Sequence, residues 1–152
     1  ASELCRLRVA DLDLGRGLLT VIVKGGQERF GVFDEYAASS LAAWLGVRSL
    51  VARAGVETVF VALAGVGTGR PLTRHGLKSL CRRLAERAGV PHFSPHALRR
   101  TFATLAKENG CPDSLLMDAG RWSSHEMLRL YTRASRLKAF ERFSPLAGLM
   151  NP

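Results

Sequence analysis

The chain has 152 residues, enough for one domain with a single core; 47% of them are hydrophobic and 23% are charged. These are the values of an ordinary globular protein. The formal net charge of +9 is unusual, and 18 of the 22 basic residues are arginine, which suits bidentate phosphate contacts. The charge predicts a polyanionic partner, either nucleic acid or an anionic membrane surface, although scattered solvated charge would give the same composition.

Membrane, secreted and metal-binding classes are disfavoured. The longest apolar run, 59–66, is broken by Gly65 and is shorter than the ~18 residues that a membrane-spanning helix needs. The first residues do not have the layout of a signal peptide. Cys5, Cys81 and Cys111 are odd in number and widely spaced, which indicates neither a disulfide framework nor a metal site. We therefore expect a cytoplasmic protein that uses no metal and no cofactor.

A small antiparallel sheet is predicted near the amino terminus, after a helix end at 3–8. The three expected strands are 8–12, 18–23 and 29–33, of which the second is apolar and β-branched. Gly25-Gly26 predicts a two-residue hairpin turn between the second and third strands. Lys24 and Gln27 would then flank the tip of the hairpin.

Helices are predicted to fill most of the remaining chain. The expected segments are helices over 37–54, 74–88, 95–109 and 112–119, a helix that a Ser123–Glu126 capping box begins and that contains Tyr131, and a final apolar segment over 137–149 interrupted by Pro145. Thr73 and Ser94 are the predicted N-caps of the second and third helices. Gly89 and Gly110 are their predicted ends.

The helix predicted over 74–88 combines an apolar stripe with a basic face. The apolar stripe is expected to be buried and consists of Leu77, Leu80, Cys81, Leu84 and Ala88. Arg74, Lys78 and Arg82 recur every fourth residue on a different face. Such a face is either a solvated helix surface or a surface that contacts phosphates, and the two interpretations are about equally good.

Four residues of the last third carry the groups that phosphoryl transfer to a tyrosine needs. His96 and Arg99 lie three apart at a helix start, so they share a face, and the helix amino terminus favours a bound phosphate. The guanidinium of Arg99 can clamp two oxygens, and the imidazole of His96 can exchange a proton near neutral pH. Trp122 can donate from its indole, and Tyr131 can attack phosphorus. The four together indicate a DNA strand-transfer site.

Each of these residues also has a structural explanation. His96 and Arg99 alone are more often two surface residues, because the spacing is short and common. Trp122 alone is more often a core residue, since it buries a large apolar area. Tyr131 alone is usually a packing residue. The combination with Lys24 upstream favours the functional interpretation.

At this combination the chain resembles the catalytic domain of the tyrosine recombinase (phage integrase) family. The resemblance covers nearly all 152 residues. Its motifs are the segment 2–13 that follows the family's first catalytic arginine, the hairpin lysine motif at 24–29, the HxxR box at 96–99, the Gly-His/Trp box at 120–124 and the nucleophile position at Tyr131. Each motif is weak, but five in the right order are strong.

The resemblance implies a role for each residue. Tyr131 would attack the scissile phosphodiester and form a 3′-phosphotyrosyl bond, while Lys24 would protonate the leaving 5′-hydroxyl. Arg99 would neutralise the non-bridging oxygens, and His96 would assist proton transfer at the tyrosine. Trp122 would donate to the phosphate site or pack against it. Glu3 would orient its neighbours from outside the site, and the expected DNA-binding residues are Arg74, Lys78, Arg82, Arg100 and Arg121.

The resemblance also implies the fold and the partners. The fold would be mainly α (α+β): a helical catalytic domain of the DNA breaking-rejoining type with a small three-stranded antiparallel sheet near the amino terminus. Residues 1–152 would form this one domain, without the family's amino-terminal DNA-clamping domain. The partners would be double-stranded DNA and further protomers, as in the synaptic tetramer of the family, with 137–150 docking in trans or packing in cis.

The sequence departs from the family pattern at three places, of which the first bears on activity and the other two on DNA contacts. The family's first catalytic arginine would fall immediately before Ala1, so the resemblance implies that this chain lacks it. Arg100 stands where many relatives have a second histidine, and Gln27 replaces a basic residue. An inactive or truncated DNA-binding module is therefore the alternative to an active recombinase. A basic protein that binds RNA or anionic lipid is a further alternative.

Overall fold

The computed structural model describes residues 1–22, 26–122 and 124–133, and it describes Met127, Leu130 and Tyr131 by their backbone alone. The chain divides into two compact units, Ala1–His92 and Phe93–Pro152. The prediction of one catalytic domain over 1–152 stays a prediction.

The first unit contains the predicted antiparallel sheet. Helix α1 spans Ser2–Arg6, a 3₁₀ turn spans Val9–Asp11, and the strands are β1 (Leu12–Asp13), β2 (Leu18–Ile22) and β3 (Glu28–Val32). The strands lie in the order β1-β2-β3, and both neighbouring pairs are antiparallel. The predicted three-stranded sheet is confirmed.

Two details of the predicted sheet were wrong. The first strand was expected over 8–12, but Val9–Asp11 form a 3₁₀ turn, in which the Asp11 carboxylate accepts from the Arg8 amide at 2.8 Å. A two-residue turn at 25–26 would pair residue 23 with Glu28. Instead Ile22 pairs with Glu28, so the register is shifted by one residue. In this register Leu19 and Val21 of β2 belong to the core of the unit.

Helix α2 spans Glu35–Arg48 and ends six residues before the predicted end at 54. It begins at Asp34, whose carboxylate accepts from the Ala37 amide at 2.8 Å. After it the chain turns locally, with the Leu50 amide donating to the Val47 carbonyl at 3.1 Å, and the Arg53 amide then donates to the Gly69 carbonyl at 2.9 Å. The apolar run 59–66 forms no strand and pairs through an isolated bridge between Val61 and Pro71.

The core of the first unit lies between the sheet and α2. Its buried centre is Leu7, Val21 and Val59, surrounded by Leu12, Leu19, Leu41, Trp44 and Phe60. Two polar side chains of α2 bind the backbone of 56–59. The Trp44 indole donates to the Val59 carbonyl at 2.8 Å, and the Arg48 guanidinium donates to the carbonyls of Val56 and Thr58, both at 2.6 Å. This backbone in turn bonds to Leu7, since the Val59 amide donates to the Leu7 carbonyl at 2.7 Å.

Helix α3 spans Arg74–Ala88 and has the predicted ends. The Thr73 hydroxyl accepts from the Gly76 amide at 3.0 Å, and Gly89 adopts a φ of 64°. The predicted apolar stripe was partly wrong. Cys81 and Ala85 are the buried residues of this helix, whereas Leu84 and Ala88 are exposed. Burial follows the i, i+4 row through residues 77, 81 and 85, so the buried face is narrower than the apolar pattern.

The second unit contains helices α4 (Pro95–Glu108), α5 (Asp113–Gly120) and α6 (His125–Tyr131). The Ser94 hydroxyl accepts from the Ala97 amide, as predicted for the N-cap, and Gly110 ends the segment with a φ of 83°. Ser123 lies outside the described residues, and with it the predicted capping box. Lys107 joins α4 to α5 through an ion pair of 2.7 Å with Asp113.

The core of the second unit is small and lies where its three helices meet. Ala103, Leu116, Trp122 and Leu128 are buried together, with Ala106, Cys111 and Met117 packed around them. The predicted fold class, mainly helical with a small antiparallel sheet near the amino terminus, is confirmed. Within the described ranges, no helix is both long and apolar enough to cross a membrane. The final apolar segment, 137–149, lies outside them.

Candidate active site

The second unit holds three of the predicted catalytic positions in described form and the backbone of a fourth. His96 and Arg99 lie in the first turns of α4, Trp122 follows α5, and Tyr131 is the last residue of α6. Glu3 lies in α1 of the first unit. Lys24 is outside the described residues, so its predicted place at the hairpin tip remains a prediction.

The start of α4 presents His96 and Arg99 to solvent. Pro95 occupies the first helical position, where its missing N–H costs nothing, and the Ser94 hydroxyl satisfies the Ala97 amide at 3.2 Å. His96 is therefore in the first turn and Arg99 one turn further on. Both side chains are exposed. An anion at this position would meet the positive end of the helix dipole as well as the two side chains.

The guanidinium of Arg99 is held by the segment that follows α5. Its Nη2 atom donates to the carbonyl oxygen of Gly120, 21 residues away in sequence. Its Cζ atom lies 4.9 Å from the centroid of the Trp122 ring, a cation–π arrangement. The guanidinium is thus fixed in orientation while it stays exposed. This preorganisation costs nothing at the moment an anion binds.

Packing against Trp122 leaves no room for a side chain at residue 120. A Cβ atom built on Gly120 would lie 1.7 Å from Cζ3 of Trp122 and 2.2 Å from Cε3. The indole therefore lies directly against the Gly120 backbone. Trp122 is 4% exposed, and its ring is in the core with Leu116 and Leu128. The same ring thus belongs to the core on one side and supports Arg99 on the other.

The backbone of Tyr131 is anchored by its neighbours. Leu128, three residues before it, and Thr132, immediately after it, are each 2% exposed. The Thr132 hydroxyl donates to the Leu128 carbonyl at 2.9 Å, which closes the last turn of α6. Helix α6 packs against both α4 and α5. The backbone of residue 131 therefore belongs to the same packed unit as Arg99.

The predicted DNA-binding residues of α3 are all exposed. Arg74, Lys78 and Arg82 lie on its solvent side, and Arg82 makes a weak surface ion pair of 3.8 Å with Glu86. Exposed pairs of this kind contribute little to stability. The face is therefore available to an external anion.

Metal ligands and cysteines were considered as competing chemistry among the residues that the structure describes. No cluster of histidine, cysteine and carboxylate side chains in the described part of the chain could hold a metal ion. Cys5, Cys81 and Cys111 form no disulfide. Burial raises the pKa of the Cys5 thiol above its ordinary value, which is the opposite of what an activated nucleophile needs.

The sequence did not predict that the carbonyl oxygen of Gly120 takes part in this site. Main-chain atoms carry no residue signature, so no motif could indicate that oxygen. The one available signal was the glycine of the Gly-His/Trp box, directly before Arg121 and Trp122. The contact between Arg99 and Trp122 joins two residues that the sequence had singled out separately.

The chain matches a known family and known proteins over most of its length. The family model described as Phage integrase family matches residues 1–137. Tyrosine recombinase XerC of Corynebacterium efficiens is 34% identical over 142 residues, which are 93% of this chain and 44% of that protein. Tyrosine recombinase XerC of Mycobacterium tuberculosis is 35% identical over 151 residues, 96% of this chain and 50% of that protein. The chain thus spans about half the length of the curated relatives it matches.

Solved structures of similar fold cover the same region. The crystal structure of XerA recombinase has a TM-score of 0.80 at 23% identity, covering 95% of this chain and 53% of that one. XerH site-specific recombinase, bound to palindromic difH substrate in a post-cleavage complex, has a TM-score of 0.76 at 24% identity and covers 97% of this chain and 42% of that one. At this identity the likeness establishes the fold.

Proposed function

Because the chain belongs to the phage integrase family, we propose that it is the catalytic portion of a tyrosine-type site-specific DNA recombinase. It cleaves and rejoins double-stranded DNA through a 3′-phosphotyrosyl intermediate. The likeness to XerH, which was crystallised on its difH substrate, supports duplex DNA as the partner. The net charge of +9 agrees with a polyanionic partner.

One observation carries the proposal: the exposed guanidinium of Arg99 is held between the Gly120 carbonyl and the Trp122 ring. A surface arginine with no function would lose side-chain entropy in such an arrangement and gain little. An arginine that binds a phosphate gains from it, because two parallel N–H groups must face two oxygens. His96 lies one turn away on the same helix, and α6 of the same unit ends at Tyr131.

In the proposed reaction the Tyr131 hydroxyl attacks the scissile phosphorus. The new P–O bond to tyrosine forms as the bond to the 5′-oxygen breaks, and the phenolic proton leaves with the help of His96. Lys24 supplies a proton to the departing 5′-hydroxyl. Arg99 neutralises the negative charge of the non-bridging oxygens. This electrostatic stabilisation is strongest in the transition state. Rejoining reverses these steps with the 5′-hydroxyl of another strand, so no external energy source is consumed.

Glu3 and five basic residues support this reaction from outside the reacting atoms. Glu3 orients its neighbours near the amino terminus. The contacts to DNA phosphates come from Arg74, Lys78, Arg82, Arg100 and Arg121. Such contacts position the duplex without reading its sequence.

We also propose that the protein self-associates on DNA. The segment 137–150 then docks onto a neighbouring protomer. Its apolar residues, including Leu137, Phe140 and Leu149, favour docking over a free tail. A cysteine placed at Leu149 tests this by cross-linking on DNA. Products that are purely intramolecular would refute docking in trans.

The catalytic proposal is tested by covalent trapping on a library of nicked duplexes with a randomised central segment. The nick lets the cleaved strand diffuse away, so that a phosphotyrosyl adduct accumulates and survives denaturation. The assay is run with this chain and with the full reading frame that encodes it. We expect adduct from the full reading frame, none from its Tyr131→Phe variant, and a loss on the order of 10²- to 10³-fold from Arg99→Ala.

Tyr36 provides the matched control, because it is the second of only two tyrosines in the chain and its side chain is 83% exposed. Tyr36→Phe should leave adduct formation unchanged. An adduct that persists in Tyr131→Phe and disappears in Tyr36→Phe would overturn the assignment of the nucleophile. DNA binding without any adduct would favour the alternative of a DNA-binding module.

A further inference from the structure

A buried hydroxyl lies directly after α6. Thr132 is 2% exposed, and among the residues that the structure describes it is the only polar or charged one that is buried. Its Oγ1 atom donates to the Leu128 carbonyl at 2.9 Å, and its amide donates to the same oxygen at 3.0 Å. The hydroxyl is therefore satisfied, but by an oxygen that the backbone amide already satisfies.

The fold does not need this hydroxyl for its stability. Threonine is a poor helix former, and the Leu128 carbonyl would keep its amide donor if the hydroxyl were absent. Valine has nearly the same shape and would bury a methyl group in place of a polar group. A hydroxyl that bonds back to the fourth residue before it slightly destabilises a helix and often bends it. The hydroxyl of Thr132 therefore acts on the path of the backbone.

The backbone bends at this residue. Tyr131 and Arg133 are both helical, whereas Thr132 between them departs from the helix. Helix bends have local causes, and a side chain that bonds into the helical ladder is one of them. The Thr132 hydroxyl bonds into the ladder at this point, so it accounts for the bend. Helix α6 thus ends directly at the candidate nucleophile.

The Leu128 carbonyl connects this bend to the core that supports Arg99. Leu128 is 2% exposed and belongs to the same buried cluster as Trp122, whose ring centroid lies 4.9 Å from the guanidinium carbon of Arg99. The end of α6 and the orientation of Arg99 therefore depend on one small core. A hydroxyl that fixes the end of α6 on this core also fixes the backbone of Tyr131 relative to the proposed phosphate-binding group.

We propose that Thr132 is a positioning residue for strand transfer. Its bond to the Leu128 carbonyl aligns the backbone of Tyr131 with the core that holds Arg99, and Thr132 itself touches no reacting atom. This inference rests on the proposed function, and it adds that the packing of α6 alone does not align the nucleophile. A misplacement of about 1 Å can lower a reaction rate about 10²-fold.

The test separates the hydroxyl from the shape of the side chain, in the full reading frame that encodes this chain. Thr132→Val keeps the shape and removes the hydroxyl, whereas Thr132→Ser keeps the hydroxyl and removes a buried methyl group. Three quantities are measured: the midpoint of thermal unfolding, the affinity for a nicked duplex on which the parent forms adduct, and the single-turnover rate of adduct formation on that duplex at saturating protein.

The two variants should separate rate from stability. Thr132→Val should keep the unfolding midpoint and the DNA affinity of the parent, while its rate at saturating protein falls by about 10- to 100-fold. Thr132→Ser should lower the midpoint by about 1–4 °C, because it leaves a small cavity, and should keep the rate within about threefold of the parent. A residue that served only the fold would give the reverse, since the rate would then follow the midpoint.

Three results would overturn the proposal. A parental rate in Thr132→Val would show that the hydroxyl does not align the nucleophile. A lowered midpoint in Thr132→Val would show that the hydroxyl serves the folded structure. A rate in Thr132→Ser as low as that in Thr132→Val would show that a hydroxyl at this position is not sufficient for alignment.

Thr58→Val is the matched control. Thr58 is half-buried in the first unit, and its hydroxyl donates to the Phe60 carbonyl at 3.2 Å. The same substitution there should leave the rate of adduct formation unchanged. A reduction equal to that in Thr132→Val would show that the effect is not specific to the residue after the nucleophile, and the proposal would fall.

The failure of this inference is distinguishable from the failure of the proposed function. If the parent forms adduct, Tyr131→Phe abolishes it and Thr132→Val matches the parent, the inference alone is wrong. If the parent forms no adduct, the proposed function is wrong and the inference falls with it.

Discussion

The guanidinium carbon of Arg99 lies 4.9 Å from the centroid of the Trp122 ring, and the same guanidinium donates to the carbonyl of Gly120. Trp122 is 4% exposed and belongs to the core of the second unit. The orientation of an exposed cation is therefore set by a buried ring. A change in the packing of this core should therefore alter the orientation of the Arg99 guanidinium at the proposed phosphate site.

Gly120→Ala should destabilise the second unit by about 2–3 kcal/mol, because the new methyl group would overlap the Trp122 ring. The overlap is severe, with the Cβ atom 1.7 Å from Cζ3. Gly46→Ala is the control: Gly46 lies in α2 and a Cβ there meets no atom within 4 Å. It should stabilise the chain by about 0.5–1 kcal/mol through helix propensity. Urea unfolding measures both, and equal effects would contradict the prediction.

Arg99→Lys should lower covalent-adduct formation on the order of 10²-fold while it leaves stability nearly unchanged. Lysine keeps the charge, but it lacks the planar fork that stacks on Trp122 and faces two phosphate oxygens. Arg129→Lys, an equivalent change at an exposed position of α6, is the control and should leave adduct formation unaltered. Full activity in Arg99→Lys would mean that charge alone suffices.

Arg48→Ala should destabilise the first unit by about 1–3 kcal/mol, because partly buried carbonyls lose their donor. The Arg48 guanidinium donates to the carbonyls of Val56 and Thr58, both at 2.6 Å. Arg48→Lys should recover only part of the loss, since lysine has no counterpart of the arginine Nε atom, which donates to the Thr58 carbonyl at 2.9 Å and to the Val59 carbonyl at 3.2 Å. Arg53→Ala, which removes an exposed bond of 2.9 Å to the Thr68 carbonyl, should cost less than about 1 kcal/mol. Thermal or urea unfolding measures these losses of stability. A loss in Arg48→Ala no larger than that in Arg53→Ala would contradict the prediction.

The affinity for duplex DNA should fall with salt at a slope near −4 to −5, as expected if about five phosphates are neutralised. Arg74→Ala and Lys78→Ala should each reduce the magnitude of that slope by about 1. Arg16→Ala removes a similarly exposed arginine, one that pairs with Asp13 at 3.8 Å, and should leave the slope unchanged. If all three variants changed the salt slope equally, binding would depend on the net charge of the protein and not on the basic face of α3.

Helix ends were predictable from the sequence because their interactions are local. Thr73 and Ser94 cap amides three residues away, and Gly89 and Gly110 turn the chain within the same few residues. A pattern of this length holds all the atoms that decide the conformation. The order of the site motifs is likewise readable along the chain, so the family was predictable from the sequence, whereas the nucleophile position at Tyr131 stays a prediction.

Tertiary structure decided the features that depend on distant partners. After α2 ends at Arg48, the amide of Arg53 donates to the carbonyl of Gly69, 16 residues further on. The orientation of Arg99 depends on Gly120, 21 residues away, and on the packing of Trp122. Sequence spacing specifies which groups are available, whereas their orientation follows from contacts whose energies exist only once the helices have packed.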